Sequence, residues 1–352
     1  MKKILKSLII CLILCVFMSG VILNPHLVSA EEGPCEIVMD ADSGRVLYAL
    51  NECKKMRVAS LTKILTCITA LKFCDVNKSV KIQPEWAGVE GSSAYLKADE
   101  EYTVSELLYG MMLRSGNDCA LSVASGGGLK YAAFIAAMNE TAKEAGAVLS
   151  NFVNPHGLDA PGHFSTAYDL ALITRLALSD ERFSEIVACK SHKIGTGDYE
   201  RTIYNKNKML KNYEFATGVK TGYTKKAGRC LVTSAEKNGF KLISVVLNCP
   251  PMYERSKQLL ENAYNEYDNV LLAQKDVACA FFKRKDGALL PCYVSDDVFY
   301  PLKKDEMRLV ESEVVFNDDE KMSGDFRGEI GTIKFYLKKQ LIFEKKIYNI
   351  VE

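Results

Sequence analysis

The residues best suited to chemistry are Ser60 and Lys63, in the run Ser60-Leu61-Thr62-Lys63. Apolar residues at Leu61, Ile64, Leu65, Ile68 and Leu71 follow helical spacing and predict a helix starting at or near Ser60, with Ser60 as its cap. Positions i and i+3 lie on one helix face, so the Lys63 amine can reach the Ser60 hydroxyl. A serine hydroxyl is a weak nucleophile until a base takes its proton, and a lysine whose pKa is depressed by burial and nearby cations can be that base. The helix N-terminus adds partial positive charge beside an attacked carbonyl oxygen. The spacing alone says little, because Ser234-Ala235-Glu236-Lys237 repeats it and a capped helix with a solvated lysine has the same signature. Two further segments change the reading. Ser115-Gly116-Asn117 follows an apolar helical stretch ending Leu113-Arg114, and Lys220-Thr221-Gly222 closes a predicted strand. Ser115 is suited to relay a proton to a leaving nitrogen, Asn117 to hold the amide of an acyl chain, and Lys220 to place a cation nearby. Gly222 lets backbone approach a ligand closely. The chemistry these residues support is acyl transfer, with no metal and no cofactor.

The elements that must position them can be read in outline. Glu36–Asp40 and Val46–Ala49 predict two strands joined by a turn over Ala41–Gly44. Residues 103–184 carry helical patterns at Thr103–Leu113, Asp118–Ala124, Tyr131–Ala145 and Thr166–Ser179, the first behind a Thr103/Glu106 capping box. Strands follow at Thr217–Thr221, Cys230–Ala235 and Lys241–Asn248, then an amphipathic helix from Met252 to about Tyr267. Early strands, a helical insertion and late strands predict one α/β domain whose sheet is completed from both ends of the sequence. From about Asp276 the pattern changes to short alternating segments, which predicts a β-rich domain over residues 276–352 after a catalytic domain over residues 31–275.

The first 30 residues set the compartment. Lys2, Lys3 and Lys6 precede an apolar run from Leu8 to Leu23, and Val28-Ser29-Ala30 offers small residues for cleavage before Glu31. This predicts a signal peptide over residues 1–30 and a protein that works outside the cytoplasmic membrane. If the leader is retained, its apolar run of about 16 residues is a short membrane anchor. The formal net charge is +1, and it stays near neutral without the leader, which argues against nucleic acid as a partner. Ten cysteines lie beyond the leader with no Cys-x-x-Cys pair, so a structural zinc site is not expected. An even count in an exported chain also allows disulfides, but buried thiols are the favoured reading in a chain long enough to build a core without them.

Together, Ser60-x-x-Lys63, Ser115-x-Asn117 and Lys220-Thr221-Gly222 resemble the motif set of penicillin-binding proteins and class A β-lactamases. Their flanks resemble one family, the low-molecular-mass penicillin-binding proteins that act as serine D-Ala-D-Ala carboxypeptidases (peptidase S11). The resemblance covers most of residues 35–270. It includes Asp40-Ala41-Asp42-Ser43-Gly44-Arg45-Val46-Leu47-Tyr48, Phe152-Val153-Asn154-Pro155-His156-Gly157-Leu158, His163-Phe164-Ser165-Thr166-Ala167 and Gly222-Tyr223-Thr224 with Ala227-Gly228. It implies a five-stranded antiparallel sheet flanked by helices, an all-helical lobe with the site between them, and a C-terminal β domain. It implies that Ser60 is acylated by the carbonyl between the last two D-alanines of a peptidoglycan stem, with Lys63 as base and Ser115 as relay. Backbone N–H groups of Ser60 and Tyr223 would hold the oxyanion, Asn117 the substrate amide, and Lys220 with Thr221 the terminal carboxylate. β-Lactams would acylate the same serine. Departures from the pattern are Val58 where proline is common, Lys206 where arginine is frequent and Thr217 where aspartate is frequent. The segment Leu341–Val351 alternates as a strand, so a C-terminal amphipathic anchor is not expected, and membrane attachment would depend on the leader.

Alternatives are a class A-like serine β-lactamase and a catalytically silent wall-binding scaffold. The first needs a Glu-x-x-x-Asn element, which residues 150–180 do not contain, and the second does not need six intact site residues. His156 and His163 are read as packing residues of a loop rather than catalytic bases. The paired lysines Lys338-Lys339 and Lys345-Lys346 are read as solvated hairpin charges.

Overall fold

A computed structural model describes residues 33–284, 287–317 and 328–349. The expected leader over residues 1–30 lies outside the described residues, and Pro34–Glu352 forms one compact unit.

Strand β1 (Cys35–Asp40) is buried along its whole length because it lies inside a sheet. It pairs with β2 (Val46–Leu50) on one side and with a strand from late in the sequence on the other. The elements between them begin with a 3₁₀ turn, Ala59–Leu61, that runs into helix α1 (Thr62–Phe73). A two-stranded ribbon follows, β3 (Ser79–Lys81) with β4 (Glu101–Thr103), leading to α2 (Val104–Leu113). Helices α3 (Asn117–Gly126), α4 (Tyr131–Glu144), α5 (Ala167–Leu178) and α6 (Glu181–Ala188) complete the helical lobe. A second ribbon, β5 (Ser191–Ile194) with β6 (Arg201–Tyr204), and the short helix α7 (Met209–Asn212) lead back to the sheet. Strands β7 (Ala216–Thr224), β8 (Gly228–Lys237) and β9 (Phe240–Leu247) then precede α8 (Met252–Glu266).

The main sheet has the order β2-β1-β9-β8-β7, and every pairing in it is antiparallel. It is completed from both ends of the sequence, as expected. Period-two alternation sorts its side chains into two cores. Cys35, Ile37, Met39, Cys230, Val232, Ile243, Val245 and Leu247 face the helical lobe, where they meet residues such as Ile64, Leu65 and Ala171. Val38, Leu231, Leu242 and Val246 face the other way and pack on Leu259, Leu260 and Ala263 of α8. Helices therefore cover both faces, and the lobe is built around buried aromatics such as Phe134, Phe152 and Phe183.

Three features differ from the sequence reading. Ser60 caps nothing: neither the 3₁₀ turn nor α1 has a side-chain cap, and α1 begins two residues later. The two ribbons were not predicted, because strands of three or four mostly polar residues carry no usable alternation. The short helices α6 and α7 were not predicted either. The second Ser-x-x-Lys lies on β8, in line with the strand predicted over Cys230–Ala235, and a spacing of three there puts the two side chains on opposite faces. Ser234 there shares a hydrogen bond of 2.8 Å with Thr217, and the Lys237 ammonium lies over the rings of Phe215 and Tyr264. The Thr103/Glu106 capping box is present as expected.

Beyond α8, β10 (Asp268–Ala273) pairs with a later strand, β13 (Val298–Leu302), across the expected boundary near residue 275. The strands β11 (Ala280–Lys283), β12 (Leu289–Val294), β14 (Val310–Phe316), β15 (Glu329–Leu337) and β16 (Gln340–Tyr348) form a second five-stranded sheet. That sheet has its own core, including Cys292, Val294, Ile330, Ile333, Phe335 and Ile347. The ten cysteines among the described residues form no disulfide with one another, and six of them are buried.

Candidate active site

Ser60 sits at the centre of the Ala59–Leu61 turn, which carries its strain in the preceding residue: Ala59 has a left-handed backbone with φ of 48°. That conformation costs a non-glycine residue on the order of 1–2 kcal/mol, so it must be held from outside. Thr62 Oγ1 donates to the Ala59 carbonyl at 2.9 Å and lies 2.8 Å from His163 Nε2. The Thr62 hydroxyl has one proton and has already given it away, so His163 Nε2 must be the donor. His163 Nδ1 accepts from the Val153 N–H at 3.2 Å, which fixes the same tautomer independently. Burial first, with the charges of Arg57 and Lys63, pushes the His163 pKa down to about 4 and keeps this ring neutral. On the other side of the turn, Gly157 adopts φ of 84°, and a Cβ there would lie 1.9 Å from the Ala59 carbonyl oxygen. Only glycine lets the two chains meet.

Lys63, on the first turn of α1, is fully buried. Its Nζ contacts three oxygens: Ser60 Oγ at 3.0 Å, Asn117 Oδ1 at 2.7 Å and the His156 carbonyl at 2.6 Å. Burial, then the neighbouring Lys220 charge, hold its pKa well below the ordinary lysine value. A neutral amine has two protons and one lone pair. Two of the three oxygens are carbonyl acceptors, so in the neutral form they can take the two protons and leave the lone pair for the Ser60 hydroxyl. Each carbonyl is anchored in turn. Asn117 Nδ2 donates to the Glu90 carbonyl at 2.6 Å, and Thr66 Oγ1 ties the Pro155 carbonyl, next to His156, to α1 at 2.7 Å. The His156 ring accepts from the Leu158 N–H at 3.2 Å, and burial, then the Lys63 charge, push its pKa down to about 4. Both histidines are packing residues of this loop.

Ser115 lies between α2 and α3, two residues before Asn117, buried and with a left-handed φ of 66°. Asp118, the residue after Asn117, takes hydrogen bonds from Ser93 Oγ at 2.6 Å and from the N–H groups of Ala94 and Leu96, both at 3.1 Å. It thereby fixes the loop whose Glu90 carbonyl receives Asn117.

On β7, Lys220 is buried and donates to the Thr221 carbonyl at 3.1 Å. Burial, followed by the Lys206 charge, brings its pKa down to about 7. Gly222 packs on the turn of Ser60, where a Cβ would lie 3.1 Å from the Val58 carbonyl oxygen and 3.3 Å from Ala59 Cβ. The next side chain, Tyr223, is 63% exposed. The two sides are joined at the rim by Asp159, which accepts from Thr224 Oγ1 at 3.2 Å and lies 3.7 Å from the Arg57 guanidinium.

The structure thus joins Ser60 and Asn117 through the Lys63 amine, sets Lys220 within electrostatic reach of Lys63, and seats Gly222 against the turn of Ser60. Sequence reasoning noted Lys206 only as a departure. Its backbone N–H donates to the Leu113 carbonyl at 3.0 Å, which fixes the segment beside the Ser115 loop, and its charge acts on both Lys220 and Lys63. Nothing in Asn205-Lys206-Asn207 signals that placement.

A profile described as D-alanyl-D-alanine carboxypeptidase, peptidase S11, matches residues 27–250. The D-alanyl-D-alanine carboxypeptidase DacF of Bacillus subtilis (strain 168) is 29% identical, in an alignment that covers 99% of this chain and 93% of that protein. The D-alanyl-D-alanine carboxypeptidase DacA of Escherichia coli (strain K12) is 30% identical over 90% of this chain and 82% of its own. Among solved structures, penicillin binding protein 5 from Haemophilus influenzae superposes with a TM-score of 0.73 at 25% identity, over 89% of this chain and 95% of that one. The chain belongs to the peptidase S11 family of D-alanyl-D-alanine carboxypeptidases.

Proposed function

We propose that this serine-type D-Ala-D-Ala carboxypeptidase removes the terminal D-alanine of a peptidoglycan stem peptide through an acyl-enzyme on Ser60. The observation that carries the proposal is the Lys63 amine, buried and 3.0 Å from Ser60 Oγ, with two carbonyl oxygens placed to take its protons when it is neutral. Lys63 takes the Ser60 proton as Oγ adds to the carbonyl between the two D-alanines. The backbone N–H groups of Ser60 and Tyr223 receive the oxyanion. Ser115 passes a proton to the departing nitrogen, D-alanine leaves, and water activated by Lys63 cleaves the ester. Asn117 orients the substrate amide, while Lys220 with Thr221 receives the terminal carboxylate. Gly222 leaves room for the substrate strand. A β-lactam presents the same carbonyl and acylates the same oxygen.

In this reading residues 1–30 direct the protein out of the cytoplasm, residues 31–275 carry catalysis and residues 276–352 form a β-rich domain. A retained leader would attach the protein to the membrane.

The test is D-alanine release from Nα,Nε-diacetyl-L-Lys-D-Ala-D-Ala by the chain from Glu31 onward, beside Ser60→Ala. Release by the first and none by the second is expected, together with a penicillin adduct that maps to the peptide containing Ser60. An adduct that survives in Ser60→Ala would overturn the assignment, and rapid penicillin turnover without D-alanine release would favour the β-lactamase alternative.

A further inference from the structure

A substrate seated as proposed has a defined direction along β7. That strand ends the main sheet and pairs only with β8 among the described residues, so its other edge can accept an extended peptide. If the terminal carboxylate is held at Lys220 and Thr221 and the scissile carbonyl at Tyr223, the peptide runs antiparallel to β7. Residues upstream of the two D-alanines then lie beyond Tyr223, along Thr224 and the turn that leads into β8.

That turn is cationic. Lys225 and Lys226 are both exposed, and Arg229, on the partner strand directly across from Tyr223, holds its guanidinium 5.8 Å from the centre of that exposed ring. None of the ion pairs among the described residues involves Lys225, Lys226 or Arg229. The nearby acid, Asp159, is engaged by Arg57 and Thr224. Three positive charges without a counter-ion therefore border the path of the upstream peptide, beside an aromatic face that stiffens one of them.

We infer that Lys225, Lys226 and Arg229 form a subsite that selects peptides carrying a carboxylate upstream of the D-Ala-D-Ala terminus. The inference rests on the carboxypeptidase reading above and deepens it. Because these charges lie away from the reacting atoms, they contribute to binding in ground and transition states alike, so the effect belongs in KM and not in kcat.

The experiment compares two peptides that differ only in that charge: Nα-succinyl-Nε-acetyl-L-Lys-D-Ala-D-Ala and its succinamoyl counterpart, in which an amide replaces the free carboxylate. For the wild type at low ionic strength, the succinyl peptide should have a KM lower by roughly three- to tenfold, a size suited to a few exposed charge contacts. Added salt should shrink that ratio. In K225Q/K226Q and in R229Q the ratio should fall toward one, while the amide peptide keeps its kcat and shows that the variants are folded. Equal KM values in the wild type, or a ratio that persists in both variants, would overturn the subsite. Failure to cleave either peptide would instead remove the carboxypeptidase reading, and the subsite with it.

Discussion

In the proposed mechanism the chemistry of Ser60 depends on the protonation state of one amine. Lys63 must be unprotonated to act as base, and both burial and the Lys220 charge favour that state. We expect kcat/KM for D-alanine release to fall on the acid side as Lys63 takes up a proton. In Lys220→Gln the loss of a neighbouring positive charge should move that limb to higher pH, while KM rises for the missing carboxylate contact. A pH profile of both proteins checks this, and an unmoved limb would show that the two amines are not coupled. Lys220 itself, with a pKa near 7 when the site is empty, loses its charge as pH rises through that value. A bound carboxylate favours the charged form, so binding above pH 7 should take up a proton. Calorimetry of a carboxylate product in buffers of different ionisation enthalpy measures that uptake. At this scale the sequence was informative because each pair is local. Ser60 and Lys63, Ser115 and Asn117, Lys220 and Gly222 are separated by two or three residues, so one backbone conformation sets each spacing. Lys206 had no such local signature.

The element that matters most is the turn Ala59–Leu61, whose left-handed residue is held by Thr62, His163 and Gly157. Gly157→Ala would force a Cβ into the Ala59 carbonyl at a positive φ, and it should cost about 2–4 kcal/mol. The acylation rate should fall further than the population of folded protein explains, which stopped-flow acylation by a fluorescent penicillin beside a denaturant titration would show. The two neutral histidines add a pH dependence. His156 and His163 both have folded pKa values near 4, below the ordinary 6.5, so the unfolded chain binds more protons between those values. Stability should therefore fall as pH drops through that window, by at most about 3 kcal/mol for each ring. His163→Gln should flatten the fall in an acid-dependent melting series, since glutamine does not titrate there. The sequence marked this loop by its likeness to a family, but it gave no hint that a histidine from the loop supports the turn of Ser60. That support joins residues 62 and 163, and only the folded lobe brings them to 2.8 Å.

At the scale of the whole molecule, the β1–β2 turn is joined to the C-terminal region through Arg45. Its guanidinium bonds both Glu306 oxygens, at 2.8 and 2.9 Å, and lies over the rings of Tyr267 and Tyr300. Arg45→Ala leaves the poorly exposed Glu306 carboxylate without that partner, and we expect a loss of about 3 kcal/mol. D-alanine release per folded molecule should be unchanged, because the contact is made away from Ser60. A loss of kcat in fully folded protein would show that the tail acts on the site. What the sequence by itself determined were the features carried by short stretches: where the longer helices and the strands of the main sheet lie, and in what order the candidate site residues come. Period, capping and motif spacing are local, and they hold wherever the segment is placed. Tertiary structure decided what depends on distant segments meeting. It set the sheet order β2-β1-β9-β8-β7, the brace under Ala59, the Lys206 field on Lys220 and the counting of protons around Lys63. Each of these joins chain positions from over a dozen to hundreds of residues apart, and their burial, which lowers the pKa of the amine, exists only once the lobe and the sheet have closed on each other.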